Sequence, residues 1–194
     1  MSTQSVYGAA PAEGIVETHT LSILVDNEPG VLARVIGLFS GRGYNIDSIA
    51  AAETNHEKHL TRITIVSSGT PLVIDQIMSQ LTRLVPVRKV SDLTVEGPYV
   101  QRELALVKVR CKGERRIEAL RIADIFRARA VDSTLDSFIF EVTGSTGKVN
   151  AFIDLMIPLG LIDASRTGTA AIARGGKSIA ETGKAKNNRR KTND

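Results

Sequence analysis

The chain has 194 residues, of which 42% are hydrophobic and 24% charged, a composition that predicts a soluble globular protein with one domain or two small ones. No apolar run approaches the roughly 18–20 residues of a membrane helix, no signal-peptide pattern opens the chain, and the lone Cys111 excludes an internal disulfide, so we expect a cytoplasmic protein with no membrane contact. The net charge of +4 comes from residues 174–194, which hold seven basic and two acidic residues, and a basic tail on a nearly neutral body argues against a nucleic-acid partner.

The first half of the chain predicts four strands and two helices. Residues 1–18 have the composition of a flexible extension, and a regular pattern begins at His19. Hydrophobic residues over 21–25 alternate as in a half-buried strand, and an amphipathic helix follows Pro29 and ends at Gly41–Gly43. The remaining elements of this unit are a strand over 45–52, a strand over 60–66, a helix from Pro71 and a strand over 87–95, before a boundary at Gly97-Pro98.

The same order of elements returns after a short linker over 98–103. Its predicted elements are a strand over 104–111, a helix over 114–129 with Ile117, Leu120, Ala123 and Phe126 on its core face, a hairpin over 130–143, a helix after Gly144–Gly147 and a strand within 161–173. The order β-α-β-β-α-β, found twice, predicts an α+β fold of two tandem ferredoxin-like domains over 19–97 and 104–177, with a disordered basic tail over 178–194. In the first unit we expect both helices on one face of the sheet, which leaves the other face to a partner.

The most informative stretch runs from Asp26 to Ile46, where a strand ends, a turn follows and the amphipathic helix begins. Free N–H groups at a helix N-terminus favour a negative group, Gly30 has no side chain to keep a ligand from the backbone, and Pro29 suits a position at or near the first helical residue. The carboxamide of Asn27 can bind both an ammonium and a carboxylate. These groups suit a free amino acid, although Asn-x-Pro-Gly is also an ordinary turn and helix-start signal.

Patterns of catalysis and metal binding do not stand out in the sequence. His19, His56 and His59 form no spaced ligand set, so a metal site is not expected. The glycine-rich segments 41–43 and 144–147 lack the dinucleotide and phosphate-loop patterns, and no nucleophile–base pair is apparent. An RNA-recognition module would share the predicted fold, but it needs aromatic residues on its central strands, where this chain has Ile23, Val25, Ile63 and Ile65. We therefore expect a protein with no catalytic activity and no cofactor of its own.

Several motifs together resemble one family. The chain closely resembles the small regulatory subunit of acetohydroxyacid synthase (acetolactate synthase) in DNEPGVLARVIGLF over 26–39 and RGYNIDS over 42–48. Further similar segments are EKHLTRITIV over 57–66, RELALVKV over 102–109 and TGSTGK over 143–148. The first motif is typical of amino-acid-sensing ACT domains in general, whereas the whole series, over about 19–177, is typical of this family.

The resemblance implies a function and a set of site residues. It implies that the first domain is an ACT domain that forms a homodimer with valine bound between the two copies. It also implies a catalytic large subunit as partner, which carries thiamine diphosphate, FAD and magnesium, and which the small subunit activates and makes sensitive to feedback inhibition by valine. The residues that would hold valine are Asn27, Pro29, Gly30, Val31 and Leu32 of one chain, and Asn45 and Ile46 of the other.

One position departs from the family, and one other function stays open. Ala33 stands where many members have Ser, so no hydroxyl contact carries over to this chain. The alternative is a stand-alone ACT protein that senses an amino acid and regulates another enzyme or transcription.

Overall fold

Two units with the same order of elements form the fold in the computed structural model, which describes residues 15–55, 57, 59–176 and 178–179. The first unit contains β1 (Glu17–Asp26), α1 (Val31–Gly41), β2 (Ser48–Asn55), β3 (Leu60–Gly69), α2 (Pro71–Thr82), β4 (Val87–Asp92) and the short helix α3 (Leu93–Glu96). The second contains β5 (Tyr99–Arg110), α4 (Glu114–Ile125), β6 (Arg129–Ser133), β7 (Ser137–Gly144), α5 (Thr146–Gly160), β8 (Leu161–Arg166) and β9 (Ala170–Ala173).

Both sheets are antiparallel and have the strand order of a ferredoxin-like fold. The first sheet has the order β2-β3-β1-β4, and the second has the order β6-β7-β5-β8, with β9 paired to the first half of β5. In each unit the strand that opens it lies in the middle of the sheet, because each helix crosses over one strand before the chain returns. The predicted α+β fold with two tandem ferredoxin-like domains is confirmed.

The first core lies between its sheet and the helices α1 and α2. Alternation along β1 buries Leu21, Ile23 and Val25 under the helices with no exposed surface. Helix α1 adds Val31, Val35 and Phe39 to this core at the spacing of one helix face. Leu32 and Ile36 of the same helix keep 38% and 36% of their surface exposed. Helix α1 therefore has a second apolar strip that stays partly exposed among the residues that the structure describes.

The second core contains a cluster of phenylalanines that the first core lacks. The ring centroid of Phe140 lies 5.1 Å from that of Phe138 and 6.1 Å from that of Phe152. The predicted core face of α4 is wrong in part, because Ala119 and Ala123 are buried while Ile117 and Leu120 are exposed. The small alanines let α4 approach the sheet and α5 closely, and the larger residues then point outward.

Two predicted boundaries differ from the structure. Strand β1 begins before His19, because Glu17 and Thr18 pair with Gly69 and Ser68 of β3. The expected linker over 98–103 is mostly strand, since β5 begins at Tyr99 and its first residues pair with β9. Residues 1–14 of the expected extension and 180–194 of the expected tail lie outside the described residues.

Two further strand boundaries differ from the predicted ones. Strand β2 begins only at Ser48, after the predicted start at Asn45. Strand β4 stops at Asp92 because the Asp92 carboxylate accepts a hydrogen bond from the Thr94 N–H at 2.9 Å and so caps helix α3. Residues 93–95, predicted as strand, are therefore helical.

The face of the first sheet that lies away from α1 and α2 is covered in part by the same chain. Ser22, Leu24 and Thr64 lie on this face and keep at most 5% of their surface exposed. The loop between β8 and β9 reaches β2, where the Thr169 N–H donates to the Ser48 hydroxyl at 2.9 Å. A Cβ on Gly168 would lie 2.7 Å from the Ile49 carbonyl oxygen, so the close approach requires glycine. The expectation that this whole face is left to a partner is wrong.

Candidate functional site

A tight turn joins β1 to helix α1 at the first group of predicted site residues. The Val31 N–H donates to the Glu28 carbonyl at 3.2 Å, and Gly30 has φ 81 and ψ 0. Proline at the second position and a left-handed glycine at the third are the signature of a type II turn. Pro29 therefore lies in the turn, two residues before the first helical residue. The left-handed backbone at this position therefore favours glycine, whether or not a ligand approaches it.

The N-terminus of α1 is open toward solvent. Gly30 is the N-cap, no side chain caps this helix, and its first turn holds no acidic residue. The N–H groups of Leu32 and Ala33 have no hydrogen-bond partner among the residues that the structure describes. A Cβ on Gly30 would meet no atom within 4 Å. Unpaired N–H groups and the positive end of the helix dipole thus face a free space that suits a carboxylate.

The acidic residues beside this turn already have cationic partners. Both carboxylate oxygens of Asp26 accept from the Arg88 Nε, at 2.8 and 2.9 Å, and this hydrogen bond raises the pKa of the Arg88 guanidinium. Glu28 lies 3.8 Å from Arg34 in an exposed pair. Asn27 is exposed, and its N–H donates to the His59 carbonyl at 2.7 Å, which fixes the backbone that carries its carboxamide. The amide is therefore the group of this turn that remains free to bind a ligand.

The second group of predicted residues lies after the C-terminal end of α1. The Asn45 carbonyl accepts from the Ser67 hydroxyl at 2.6 Å, and the Asn45 carboxamide donates to the Asp47 carboxylate. Asp47 in turn accepts from the Ser68 hydroxyl at 2.7 Å. Asn45 is exposed but oriented by these contacts, whereas Ile46 is half-buried against the first core. Sequence reasoning missed Asp47, Ser67 and Ser68, because the two serines lie more than 20 residues from Asn45.

The structure does not bring the two groups together within one chain. Helix α1 separates them, and its 11 residues span roughly 16 Å. The strand register also places the two groups far apart, because Asp26 pairs with Leu60 at one end of β3 and Asn45 contacts Ser67 near the other end. Val31 is buried in the core, so only its backbone is available at the first group. No single amino acid reaches from Asn27 to Asn45 of the same chain.

The comparisons with known proteins cover both domains. Residues 21–89 match the family described as "AHAS small subunit-like ACT domain", and residues 102–175 match the family "Small subunit of acetolactate synthase". The chain belongs to the acetolactate synthase small subunits. The first match includes all seven predicted site residues, so the candidate site lies in the ACT domain of this family.

Individual relatives agree with this assignment. The chain is 48% identical over 159 residues to the "Probable acetolactate synthase small subunit" of Archaeoglobus fulgidus, covering 82% of this chain and 98% of that protein. It is 47% identical over 163 residues to the acetolactate synthase small subunit of Aquifex aeolicus, with 84% of each covered. The crystal structure of the small subunit from Thermotoga maritima has a TM-score of 0.75 at 37% identity, covering 83% of this chain and 99% of that chain.

The remaining features of the small subunit concern metal ions, membranes and its one cysteine. Among its described residues, no group of three or more histidine, cysteine or acidic side chains could hold a metal ion. None of the described helices is long and apolar enough to cross a membrane. Cys111 is buried, and burial raises the pKa of its thiol, which disfavours the reactive thiolate.

Proposed function

We propose that this chain is the non-catalytic regulatory subunit of acetolactate synthase, and that its ACT domain confers feedback inhibition by valine. Its partner would be the catalytic large subunit, which would carry thiamine diphosphate, FAD and magnesium in the cytoplasm. The observation that carries the proposal is the separation of two incomplete half-sites by the length of helix α1. Each half offers part of what an amino acid needs, and neither is complete in one chain.

A two-fold dimer of ACT domains completes both sites at once. If the axis passes beside the middle of α1, the N-terminus of one α1 lies against the C-terminal end of the other, as symmetry requires. The exposed strip of Leu32 and Ile36 on α1 supports contact there, because such apolar residues gain from burial. Strand β2 supports it too, since β2 is an edge strand whose described partner is β3 alone.

The ligand groups then have distinct partners in the proposed dimer. The valine carboxylate would accept from the free N–H groups of Leu32 and Ala33, beside Gly30. The ammonium would donate to the Asn27 side-chain oxygen. Asn45 of the second chain, held by Asp47, would close the site from the other side, with Ile46 against the isopropyl group. The mechanism of inhibition follows from linkage, since valine shifts the dimer toward the arrangement that binds it more tightly.

Gly30→Asp tests the site in the reconstituted holoenzyme. The variant places a negative charge beside the proposed carboxylate position, and we expect valine inhibition to be lost while activation of the large subunit survives. Gly30→Asn is the matched control, because Asn has the same size and tolerates the left-handed turn as well as Asp does. We expect the Asn variant to retain inhibition at a higher valine concentration. Inhibition of the Asp variant at the wild-type valine concentration would refute the site.

The absence of catalysis is tested with the small subunit alone. Purified chain incubated with pyruvate, thiamine diphosphate, FAD and magnesium should form no acetolactate, and addition of the large subunit should produce more acetolactate than the large subunit makes by itself. Turnover by the small subunit alone would contradict the proposal. So would a large subunit whose rate does not change on mixing.

A further inference from the structure

A cavity lies between the two domains, away from the candidate valine site. It measures about 750 Å³ and lies between the first sheet and the segment 172–176. Its floor is formed by β3, β1 and β4 on the face opposite α1 and α2. No residue of the proposed valine site lines this cavity, so the two sites can be tested separately.

Basic residues from both domains line the cavity. Arg62 and Lys89 come from the first sheet, Arg174 comes from the second domain, and Glu96 is the one acidic residue on the walls that the structure describes. The Glu96 carboxylate already accepts a hydrogen bond from the Asp92 N–H at 3.2 Å. The lining therefore carries two more positive than negative charges, in a partly enclosed space where charges are screened less than on an open surface.

Arg62 lacks the partners that Arg166 and Arg116 have. Arg166 of β8 forms two hydrogen bonds with the Glu103 carboxylate, at 2.6 and 2.8 Å. Arg116 of α4 lies over the Phe138 ring at 3.9 Å and donates to the Ser133 hydroxyl at 3.2 Å, although its Nη1, like the Arg62 Nε, is buried without a hydrogen-bond partner. Arg62 is half-buried, its Nε is buried without a hydrogen-bond partner, and no described acidic residue forms an ion pair with it. Burial lowers the pKa of its guanidinium. A half-buried cation with no anion beside it is costly, and a bound anion would remove that cost.

Two hydroxyl groups add neutral donors to this floor. Ser22 and Ser91 face each other across β1 and β4, and both line the cavity. Neither hydroxyl has a hydrogen-bond partner among the residues that the structure describes. Next along the same strands, Leu24 lies between Arg62 of β3 and Lys89 of β4. At the usual strand spacing the Cα atoms of these two basic residues are roughly 10 Å apart, so that an oxoanion fits between their side chains.

We propose that this cavity binds a phosphate group with the side chains of Arg62, Lys89 and Arg174 and the hydroxyls of Ser22 and Ser91. A phosphate dianion matches the excess of two positive charges, and the planar guanidinium can donate two parallel hydrogen bonds to its oxygens. The cavity exceeds the size of one phosphate ion and has apolar walls at Leu93 and Ile172. A small phosphate monoester therefore fits as well as inorganic phosphate.

The ligand would also hold the two domains together. Arg62 and Lys89 belong to the ACT domain, whereas Arg174 follows β9 of the second domain, where its N–H donates to the Pro98 carbonyl at 2.9 Å. An anion that contacts all three cations stabilises this one arrangement of the domains in proportion to its binding free energy. The effect requires neither valine nor the large subunit.

Isothermal titration of the full chain with inorganic phosphate and with glycerol phosphate tests the proposal. Every titration is made at the same ionic strength in sodium chloride, so that simple screening is equal in all of them. We expect saturable binding of at least one of the two anions, and a higher melting temperature with it. Equal affinities would identify the phosphate group alone as the ligand, and tighter binding of glycerol phosphate would identify an ester. Absence of binding by both anions would overturn the proposal.

Three variants locate the site. Arg62→Gln and Lys89→Gln should each weaken phosphate binding at least tenfold. Arg121→Gln is the matched control, because it removes one charge from the exposed face of α4, far from the cavity, and it should bind like the wild type. Lys89→Gln keeps the test decisive if Arg62→Gln unfolds, as judged by circular dichroism. Equal weakening in all three variants, or none in either cavity variant, would contradict the site.

Discussion

The two domains share one fold but differ at the matching helix N-terminus. In the first domain, α1 begins at Gly30 with no acidic residue and no side-chain cap, and two N–H groups remain free in the described structure. In the second domain, α4 follows Gly113 and also has no side-chain cap, but it has Glu114 in its first turn. The chain itself therefore supplies a negative charge to the turn where the helix dipole favours one. The fold therefore supplies the position, and the residues at the turn decide whether a ligand can use it.

The two cores also differ in their residue types. The first core is built from branched aliphatic residues around Phe39, whereas the second is built around Phe138, Phe140 and Phe152. Both domains have exposed apolar residues on a helix, Leu32 and Ile36 on α1 and Ile117 and Leu120 on α4. Those on α1 are the ones that lie beside the proposed half-sites.

The largest predicted effect is a loss of stability in the second domain alone. Phe140→Ala removes a fully buried ring that contacts two others, and we expect the free energy of unfolding of the second domain to fall by about 3–5 kcal/mol. Urea denaturation would measure the loss. Valine binding to the folded fraction should be unchanged, because the residues of the proposed site lie in the other domain. A loss below about 1 kcal/mol would show that the phenylalanine cluster contributes little to the stability of this core.

A second prediction distinguishes half-sites from complete ones. Asn27→Ala and Asn45→Ala should each weaken valine binding about tenfold or more, which corresponds to ~1.4 kcal/mol. If the two variants are mixed and allowed to exchange subunits, half of the dimers are mixed, and each has one intact site. About one quarter of all sites should then regain wild-type affinity, as two-fold symmetry requires.

The control for that mixture comes from the matching turn of the second domain. Lys112→Ala lies in the turn before α4 and should leave valine binding unchanged. Valine titrations of the single variants, the mixture and this control would be compared by calorimetry. No recovery in the exchanged mixture would contradict a site shared between two chains.

The smallest predicted effect concerns Glu114. Glu114→Gln removes the negative charge from the first turn of α4, and we expect a loss of about 0.3–1 kcal/mol in the unfolding free energy, diminishing as salt is added. Thermal unfolding at low and high salt would measure it. A stability gain at low salt would contradict the assigned role of this carboxylate. The variant should not acquire a valine site, because the residues before α4 include no counterpart of Asn27.

Local patterns predicted most of the fold, and long-range contacts account for most of the errors. Alternation along β1 and the start of α2 at Pro71 were readable from the sequence, because both depend on neighbouring residues. The core face of α4 was wrong because Ile117 and Leu120 form as good an apolar strip as Ala119 and Ala123, and only the closeness of α5 decides between them. The start of β5 at Tyr99 depends on β9, about 70 residues later.

The candidate site was predictable only in part for the same reason. Asn27, Pro29 and Gly30 are adjacent in sequence, so their turn could be recognised. The clamp of Arg88 on Asp26 joins residues 62 apart, and the serines that orient Asn45 come from another strand. The sequence did not single out Arg62, because its lack of a partner is visible only when every neighbouring strand is in place.

The hydrogen bond from the Thr169 N–H to the Ser48 hydroxyl gives the second domain a natural spectroscopic probe. Ser48 directly follows Asp47, and the Asp47 carboxylate accepts a hydrogen bond from the Asn45 carboxamide. These contacts connect the second half-site to an amide in the other domain. In an isotope-labelled sample, the Thr169 amide resonance would report events at Asn45 without an attached probe group. Its hydrogen-exchange rate would show whether a signal that begins in the first domain reaches the second.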